Sequence, residues 1–248
     1  MNRFAILATL AFLTGCAAAP DGAGVNDPLE GLNRGVHGFN KGVDTLALRP
    51  VSQVYGTVVP DPVRTGVDNF SDNLGLPGVI VNNTLQGDLE SAASNTGRFL
   101  VNSTFGLLGI LDPATELGAP KRDTDFGETL HVWGVGEGAY VELPVLGPST
   151  TRDTAGFIVD VFLDPLDAVL ESPESDYRLG ARGAEIANTR YRFGDTVDGI
   201  LYESADSYAQ SRLIYLQNRR FELGIEDPSS SLGPADTDGS LYDDLYFE

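Results

Sequence analysis

Residues 27–46 read DPLEGLNRGVHGFNKGVDTL and decide the fold class, because their apolar side chains repeat with a helical period. Successive apolar positions are 3, 4, 3, 4 and 3 residues apart, which places them on one face of an α-helix. These positions are Leu29, Leu32, Val36, Phe39, Val43 and Leu46. Asp27, Pro28 and Glu30 form a capping-box pattern before them, so we expect Asp27 to cap the helix.

Helix signals continue beyond this stretch. Arg49-Pro50 is expected to end the first helix, because a residue before proline avoids the helical conformation. Asp61-Pro62 predicts another helix start, residues 77–86 form a further apolar segment, and Asp88 is expected to cap the next helix. The first half of the chain is therefore predicted to be helical.

The second half contains the only strand-like run, residues 139–146, which is too little for a sheet. Ser149 or Thr150 is expected to cap a helix that reaches Leu163. Two longer helices are expected at about 179–202 and 205–223. The sequence therefore predicts a mostly α fold with little or no sheet.

Glycine is abundant for a helical protein, with 29 residues. Gly35, Gly38 and Gly42 lie at short spacing within the first predicted helix. Glycine inside a helix costs about 1 kcal/mol relative to alanine. We interpret these glycines as sites of close helix packing.

Composition and charge exclude several classes of function. The 248 residues include 16 basic and 36 acidic side chains, for a formal charge of −20. This balance argues against binding to nucleic acid, whose phosphates are held by clustered Lys and Arg, and against a polybasic membrane patch. Two histidines and one cysteine leave little material for a metal site or a Cys/His catalytic centre, and one cysteine excludes an intrachain disulfide.

The N-terminus has the pattern of a secretory signal. Arg3 precedes an apolar run from Phe4 to Leu13, which is too short to span a membrane. Leu13-Thr14-Gly15-Cys16 then resembles the lipobox of bacterial lipoproteins, in which cleavage precedes the cysteine and acyl chains are added to it. The resemblance predicts that Cys16 is lipidated, and multiple acyl chains on one residue would give a firm membrane anchor.

Composition shifts predict four segments. Residues 1–15 are the signal peptide, residues 16–26 a lipidated tether, and residues 27–225 one helical domain. Residues 226–248 contain seven acids and no base and are predicted to be a disordered tail. No later apolar run is long enough to span a membrane.

No catalytic, metal-binding or cofactor-binding pattern emerges. The glycines at 134–138 lack the strand and the Lys-Ser/Thr ending of a phosphate-binding loop. The acid pairs Asp123/Asp125 and Asp164/Asp167 are better explained by helix caps and surface charge than by a carboxylate dyad. A serine hydrolase would need a nucleophile elbow that is absent from the sequence. We therefore expect no enzyme activity, no metal and no cofactor.

Several motifs resemble the MlaA (VacJ-type) outer-membrane lipoprotein family. The similarity is dense over about 27–166 and looser over 179–223. The motifs include Asp27-Pro28-Leu29-Glu30-Gly31-Leu32-Asn33-Arg34, Phe39-Asn40, Arg49-Pro50-Val51, Val59-Pro60-Asp61-Pro62-Val63-Arg64, Asn82-Asn83, Arg98-Phe99-Leu100-Val101-Asn102-Ser103-Thr104, Trp133-Gly134-Val135-Gly136 and Arg152-Asp153. The long acidic tail is a departure that the family does not require.

The resemblance implies a fold and a function. It predicts a single ring-like domain of several helices that lies in the inner leaflet of the outer membrane, anchored on the periplasmic side. Such a protein removes misplaced glycerophospholipids from the outer leaflet and maintains lipid asymmetry. The partners implied are glycerophospholipids, a trimeric outer-membrane porin and a soluble periplasmic lipid carrier, with no nucleic acid.

The family motifs also supply the candidate site residues. Polar asparagines of the matching segments are candidates to line a lipid path, arginines are candidates to meet phosphate, and three more residues occupy motif positions. The asparagines are Asn33, Asn40, Asn82, Asn83 and Asn102, the arginines are Arg49, Arg64, Arg98 and Arg152, and the remaining residues are Phe39, Trp133 and Asp153. Capping and turn roles for the asparagines, and structural ion pairs for the arginines, are the alternatives.

Two other functions stay open on the sequence. One is a structural lipoprotein that scaffolds a porin or envelope complex without moving lipid. The other is a lipolytic enzyme, which needs a nucleophile and a base that the sequence does not identify.

Overall fold

The computed structural model describes residues 25–166 and 169–225. The predicted signal peptide, Cys16, most of the tether and the acidic tail lie outside these residues, so those predictions are untested. The described helices are α1 (Glu30–Val43), α2 (Arg49–Val58), α3 (Asp61–Gln86), α4 (Leu89–Thr104), α5 (Pro113–Glu116), α6 (Phe126–Val132), α7 (Thr151–Leu163), α8 (Glu174–Arg192), α9 (Gly194–Asp198) and α10 (Ser207–Glu222). Two π-helical turns, Asp44–Leu48 and Gly199–Glu203, join α1 to α2 and follow α9.

Helix dominates, and the prediction of a mostly α fold with little sheet is confirmed. The strands β1 (Tyr140–Leu143) and β2 (Gly147–Thr150) pair antiparallel, with Tyr140 opposite Thr150. None of the helices in the described ranges combines the length and apolar character needed to cross a bilayer. Up to Arg212 the described residues form one compact unit, and from Leu213 onward they form a second.

The start of α1 differs from the prediction. The helix begins at Glu30 rather than residue 28, and Leu29 precedes it without a side-chain cap. The carboxylate of Asp27 instead accepts a hydrogen bond from Asn33 Nδ2 at 2.8 Å, and it also binds Tyr208 and Arg212. Long-range contacts therefore take the group that local sequence assigns to the cap.

Pro50 does not end the first helix, contrary to expectation. The chain passes from α1 through the π-helical turn into α2, where Pro50 occupies the first turn. Proline has no N–H to donate to an earlier carbonyl. It is tolerated there because the hydrogen bonds of the preceding π turn join residues five apart, which shifts the pattern of donors and acceptors. Likewise Pro77 lies inside the 26-residue helix α3, so the two segments predicted around it are one helix.

Other helix boundaries follow the predicted caps. The side chain of Asp88 accepts from the Ser91 N–H at the start of α4. Thr150 caps α7 by accepting from the Asp153 N–H, and α7 ends at Leu163 as predicted. The predicted helix over 179–202 is interrupted, because α8 ends at Arg192 and α9 follows after Phe193.

The glycines of α1 do not mediate close packing among the described residues, contrary to our interpretation. A β-carbon built at Gly35, Gly38 or Gly42 meets no atom within 4 Å. Close approaches occur elsewhere: Gly56 lies against the ring of Tyr191, and Gly156 lies against the backbone of residue 127.

Candidate functional site

The helical unit ending at Arg212 buries polar side chains and exposes apolar ones. On α1 the buried residues are Asn33 and His37, whereas Leu32 is 64% exposed. Leu46 in the following π turn is 83% exposed, while Asp44 of the same turn is buried. Burial normally favours hydrocarbon over polar side chains. The apolar face deduced from the helical period therefore points outward in this unit.

Burial of polar side chains and exposure of apolar ones extend across the described residues. Twenty-one polar or charged residues are buried there, against ten hydrophobic ones, five of which are alanines. On α7, Phe157, Ile158, Val161 and Phe162 are all exposed. A buried polar group needs a hydrogen-bond partner, so burial of these side chains depends on hydrogen-bond networks among them.

The first network attaches α1 to the hairpin. Asn33 Nδ2 donates to the Tyr140 carbonyl at 3.2 Å, and Asn33 Oδ1 accepts from the Glu142 N–H at 3.0 Å. Asn40 Nδ2 donates to the Leu143 carbonyl at 2.9 Å, and its Oδ1 accepts from the Val145 N–H at 2.7 Å. Both side chains thus replace missing strand partners along β1.

His37 lies between these two asparagines and connects three elements. Its Nδ1 is 3.2 Å from Glu142 Oε1, and its Nε2 is 3.1 Å from Ser207 Oγ. A carboxylate only accepts, so Nδ1 donates to Glu142, and in a neutral His37 the Ser207 hydroxyl then donates to Nε2. This is the order of a nucleophile, base and acid. However, the Ala209 N–H at the start of α10 already donates to Asp206, so that amide is not free for an oxyanion.

The second network surrounds the π-helical turn after α1. Arg190 donates to Asp44 from Nε at 2.8 Å and from Nη2 at 2.9 Å, and it reaches Asp198 at 2.6 Å. Arg49 donates to the other oxygen of Asp198 at 2.5 Å. Burial acts to raise the pKa of Asp44, but hydrogen bonds from Arg190 and Tyr202 outweigh it and hold the pKa below its ordinary value.

A third network joins α3 to α8. Arg64 donates to Asn188 Oδ1 at 2.6 Å and to the Val59 carbonyl at 3.1 Å. Asn188 in turn donates to Asp68, one turn along α3. Burial raises the pKa of Asp68. Arg64 is therefore held by protein groups on both sides.

The fourth network links α3, α6 and α7. Asn82 Nδ2 donates to Asp160 Oδ1 at 2.7 Å, and Asn82 Oδ1 accepts from the Thr129 hydroxyl at 3.0 Å. The Phe126 N–H donates to Asp160 Oδ2 at 2.9 Å. Burial nevertheless raises the pKa of Asp160, against the effect of these two hydrogen bonds.

Asn83 joins α3 to α4, and Arg98 joins α4 to the start of α5. Asn83 Oδ1 accepts from Asn95 Nδ2 at 2.9 Å. Arg98 Nη2 donates to Asp112 Oδ2 at 2.8 Å, and Asn102 Nδ2 donates to Asp112 Oδ1 at 2.8 Å. Asn102 Oδ1 also accepts from the backbone at the start of α5.

The remaining predicted residues fall into two groups. Phe39 is exposed on α1, and Trp133 is exposed after α6, where its Nε1 donates to the Leu85 carbonyl at 3.1 Å. Arg152 is buried and donates to Asp153 Oδ1 from two nitrogens, each at 3.1 Å. The Arg152–Asp153 pair therefore sits at the capped start of α7.

The predicted polar residues are thus brought into separate networks within the unit. Asn33 and Asn40 share the hairpin, and Arg98 and Asn102 share Asp112. None of the five asparagines caps a helix, which differs from the alternative role, although Asn40 supports the hairpin turn. Their place in a lipid path stays a prediction.

Sequence reasoning missed several buried polar residues, among them His37 and Asp44, for which a signal was present. Together with the predicted Asn33 and Asn40 they are 4, 3 and 4 residues apart, so the four form a second helical stripe beside the apolar one. Asn95, which is fully buried, and Arg190 had no comparable signal, because their partners come from distant parts of the chain.

Within the described residues, no group of three or more His, Cys, Asp or Glu side chains is placed to hold a metal ion. The absence of a metal and of a cofactor stays a prediction from the sequence.

Comparisons with known proteins agree with the resemblance. The family model described as MlaA lipoprotein matches residues 25–222. The intermembrane phospholipid transport system lipoprotein MlaA of Escherichia coli K12 is 39% identical over 214 residues, covering 84% of this chain and 83% of the relative. The protein of the same description from Haemophilus influenzae is 31% identical over 226 residues, covering 88% of each chain.

A solved structure also matches. It comes from work on the structural basis for maintenance of bacterial outer membrane lipid asymmetry, with a TM-score of 0.68 and 36% sequence identity. The match covers 79% of this chain and 98% of that chain. With a family model that spans most of the sequence and relatives above 30% identity, this chain belongs to the MlaA lipoprotein family.

Proposed function

We propose that the protein is a non-enzymatic component of intermembrane phospholipid transport. It removes misplaced glycerophospholipids from the outer leaflet of the outer membrane and passes them on, which maintains lipid asymmetry. The names of the E. coli and H. influenzae relatives support this function.

The structural observation that carries the proposal is the inverted burial of the helical unit. Apolar side chains such as Leu32, Leu46 and Phe162 face outward, and asparagine, arginine and aspartate side chains face inward. A water-soluble protein rarely exposes so much contiguous hydrocarbon, whereas a protein lying in a leaflet gains free energy from burying it in acyl chains. Each fully buried Leu or Phe contributes about 1.5–3 kcal/mol.

Inward polar groups complement the outward faces. A glycerophospholipid has a charged headgroup that needs polar partners and acyl chains that need apolar surface. The interior of this unit offers carboxylates, guanidinium groups and amides at hydrogen-bonding distance from one another, as in the contacts of Asp44, Arg190 and Asn82. Such groups can exchange partners with a passing headgroup, which supports conduction rather than chemistry.

Anchoring, location and partners follow as part of the proposal. Acyl chains on Cys16 hold the protein on the periplasmic side of the outer membrane, in a ring-like arrangement beside a trimeric porin. A soluble periplasmic carrier accepts the lipid. The resemblance to the family supports these statements.

Lipid analysis of the purified protein tests the proposal against its alternatives. The full chain is extracted from membranes in mild detergent, and bound phospholipid is quantified by mass spectrometry before and after incubation with acceptor vesicles made of isotope-labelled lipid, from which it differs in mass. We expect bound glycerophospholipid that moves to the acceptors intact. Absence of bound lipid, together with retention of a porin, would support a scaffolding lipoprotein instead. Release of free fatty acid that is lost in Ser207→Ala would support a lipolytic enzyme.

A further inference from the structure

A polar cavity of about 200 Å³ lies between α3 and α4 in the unit that ends at Arg212. Its walls contain two ion pairs: Lys121 Nζ lies 2.9 Å from Asp72 Oδ1, and Arg98 Nη2 lies 2.8 Å from Asp112 Oδ2. The formal charges of these four groups cancel. The volume corresponds to about six or seven water molecules at roughly 30 Å³ each, so the cavity has room for a small polar group.

Two of the residues that line the cavity each carry a buried polar atom without a hydrogen-bond partner. Asn73 Oδ1 is an acceptor without a donor, and Arg98 Nε is a donor without an acceptor. Both residues are at least 96% buried. An unpartnered buried polar atom costs about as much free energy as a lost hydrogen bond, so such atoms call for a ligand or solvent.

An uncharged, strained loop is attached to the same residues. No Asp, Glu, Lys or Arg occurs from residue 99 to residue 111, and the exposed side chains of this loop include Phe105, Leu107 and Leu108. Leu107 and Leu108 have φ angles of 55° and 61°, a region that non-glycine residues rarely adopt. Backbone strain of this kind, held in place by its surroundings, is a common feature of functional sites.

Cavity residues hold this loop in its strained form. Asn73 Nδ2 donates to the Leu108 carbonyl at 3.3 Å, and the Asn102 carbonyl accepts from the Gly109 N–H at 2.9 Å. Asn69, also on the cavity wall, donates to the Ile110 carbonyl at 3.3 Å. A small polar cavity and an exposed apolar loop are therefore joined through the same side chains, which is the layout of a site for an amphiphile.

We propose that this cavity and loop bind a phospholipid whose headgroup is a phosphate ester carrying a primary ammonium, such as phosphoethanolamine, with its acyl chains along residues 105–111. The phosphate faces Arg98 and Lys121, and the ammonium faces the carboxylates of Asp72 and Asp112. The inference rests on the proposed function and adds a headgroup preference at a defined site.

The wall chemistry argues against the other common headgroups. An anionic phosphoglycerol headgroup would add an uncompensated charge to a neutral, half-enclosed cavity. A quaternary ammonium has no N–H to donate, so it forms no hydrogen bond to the carboxylates of Asp72 and Asp112. Hydrogen bonds that involve charged groups are the stronger class, which predicts a preference of about tenfold for the primary ammonium.

Competition in mixed micelles tests the preference. The full chain, purified in detergent, is equilibrated with equimolar phosphatidylethanolamine, phosphatidylglycerol and phosphatidylcholine, and the bound lipids are quantified by mass spectrometry. We expect enrichment of phosphatidylethanolamine over both others. Asp72→Asn makes the cavity net positive and should shift enrichment toward phosphatidylglycerol, a reversal that misfolding cannot produce. Glu90→Gln removes the same charge from the exposed Glu90–Arg122 pair and should change nothing.

Two further experiments test whether the site binds the headgroup alone and whether the loop contributes to lipid binding. Soluble glycerophosphoethanolamine is added as competitor, and Leu107→Asp is tested for total bound lipid. Reduced total binding by Leu107→Asp with unchanged proportions supports the joint site. Lipid bound in equal proportions by wild type and Asp72→Asn overturns the inference while leaving the proposed function intact. Binding of the soluble headgroup without any lipid preference also overturns it, whereas absence of all bound lipid counts against the proposed function itself.

Discussion

Arg190 on α8 holds Asp44 in the π-helical turn through two hydrogen bonds, at 2.8 and 2.9 Å, and both side chains are buried. The turn widens the helix where α1 gives way to α2, and Tyr202 from the second π-helical turn donates to the same carboxylate at 2.7 Å. One buried ion pair thus connects two irregular helical turns that are 155 residues apart (199 − 44). Ion pairs and amides thus hold the helices together in this interior, a role that apolar side chains have in the core of a soluble protein.

Breaking this pair should destabilise the protein strongly. Asp44→Asn leaves Arg190 buried with only Asp198 as a charged partner, and loss of one member of a buried pair costs about 3–5 kcal/mol. We expect the free energy of unfolding to fall by about 3 kcal/mol, measured by thermal denaturation in detergent. The exposed pair of Glu90 and Arg122 is the control, and Glu90→Gln should cost less than about 1 kcal/mol. Equal effects of the two variants would contradict the account.

The contribution of Asp44 should also depend on pH. Its pKa in the folded state lies below the ordinary value, so the folded protein binds fewer protons than the unfolded chain in this range. The stability difference between wild type and Asp44→Asn should therefore be constant above about pH 5, because both states are then ionised. It should shrink as pH falls below the unfolded pKa of about 3.9 and through the folded pKa. A stability difference between wild type and Asp44→Asn that grows on acidification would contradict a lowered pKa for Asp44.

Removing Asn82 should disturb three elements together. Asn82→Ala deprives the Asp160 carboxylate of one donor and the Thr129 hydroxyl of the nearer of its two acceptors, the other being the Asp125 carbonyl. A buried group left without its partner costs about 1–3 kcal/mol, so we expect a loss of that size in urea or thermal unfolding. Gln53 on α2 is exposed, and Gln53→Ala serves as the matched control with little expected change. If the two variants unfold together, Asn82 is not a structural link.

The outward apolar faces should contribute to membrane binding rather than to folding. Leu46→Glu places a charge on a side chain that is 83% exposed, so the folded protein should tolerate it in detergent. In vesicle flotation of the unlipidated Cys16→Ala protein, however, the added charge should weaken binding by about tenfold or more, since a buried leucine contributes about 1.5–3 kcal/mol. Gln210→Glu, at an exposed polar position, controls for charge alone. Equal binding by both variants would mean that the α1 face does not contact lipid.

The helical period in the sequence predicted most of the fold, and caps predicted several boundaries. Asp88 and Thr150 act as expected, because each cap depends only on residues within one turn. The predicted start of α1 is wrong, because the carboxylate of Asp27 binds Tyr208 and Arg212, far along the chain, and does not cap the helix. Neither Pro50 nor Pro77 breaks its helix: Pro50 follows a π-helical turn, and Pro77 lies within a long helix.

The candidate site was predictable only in part. The period of α1 identifies an apolar and a polar stripe but does not state which stripe faces inward. The motif residues Asn33, Asn82 and Arg98 are buried in the structure, yet their partners could not be deduced, because each bond joins residues at least 14 positions apart. Conversely, the strain at Leu107 has no sequence signature, since leucine does not favour a positive φ.

The most direct test of the central claim is phospholipid exposure at the cell surface. Cells depleted of this protein are compared with depleted cells that express either the wild-type chain or Cys16→Ala, and outer-leaflet phospholipid is quantified by surface labelling. The account predicts that exposure rises on depletion, that the wild-type chain restores it, and that Cys16→Ala does not. Exposure that stays unchanged on depletion would contradict removal of phospholipid from the outer leaflet as the function of this protein.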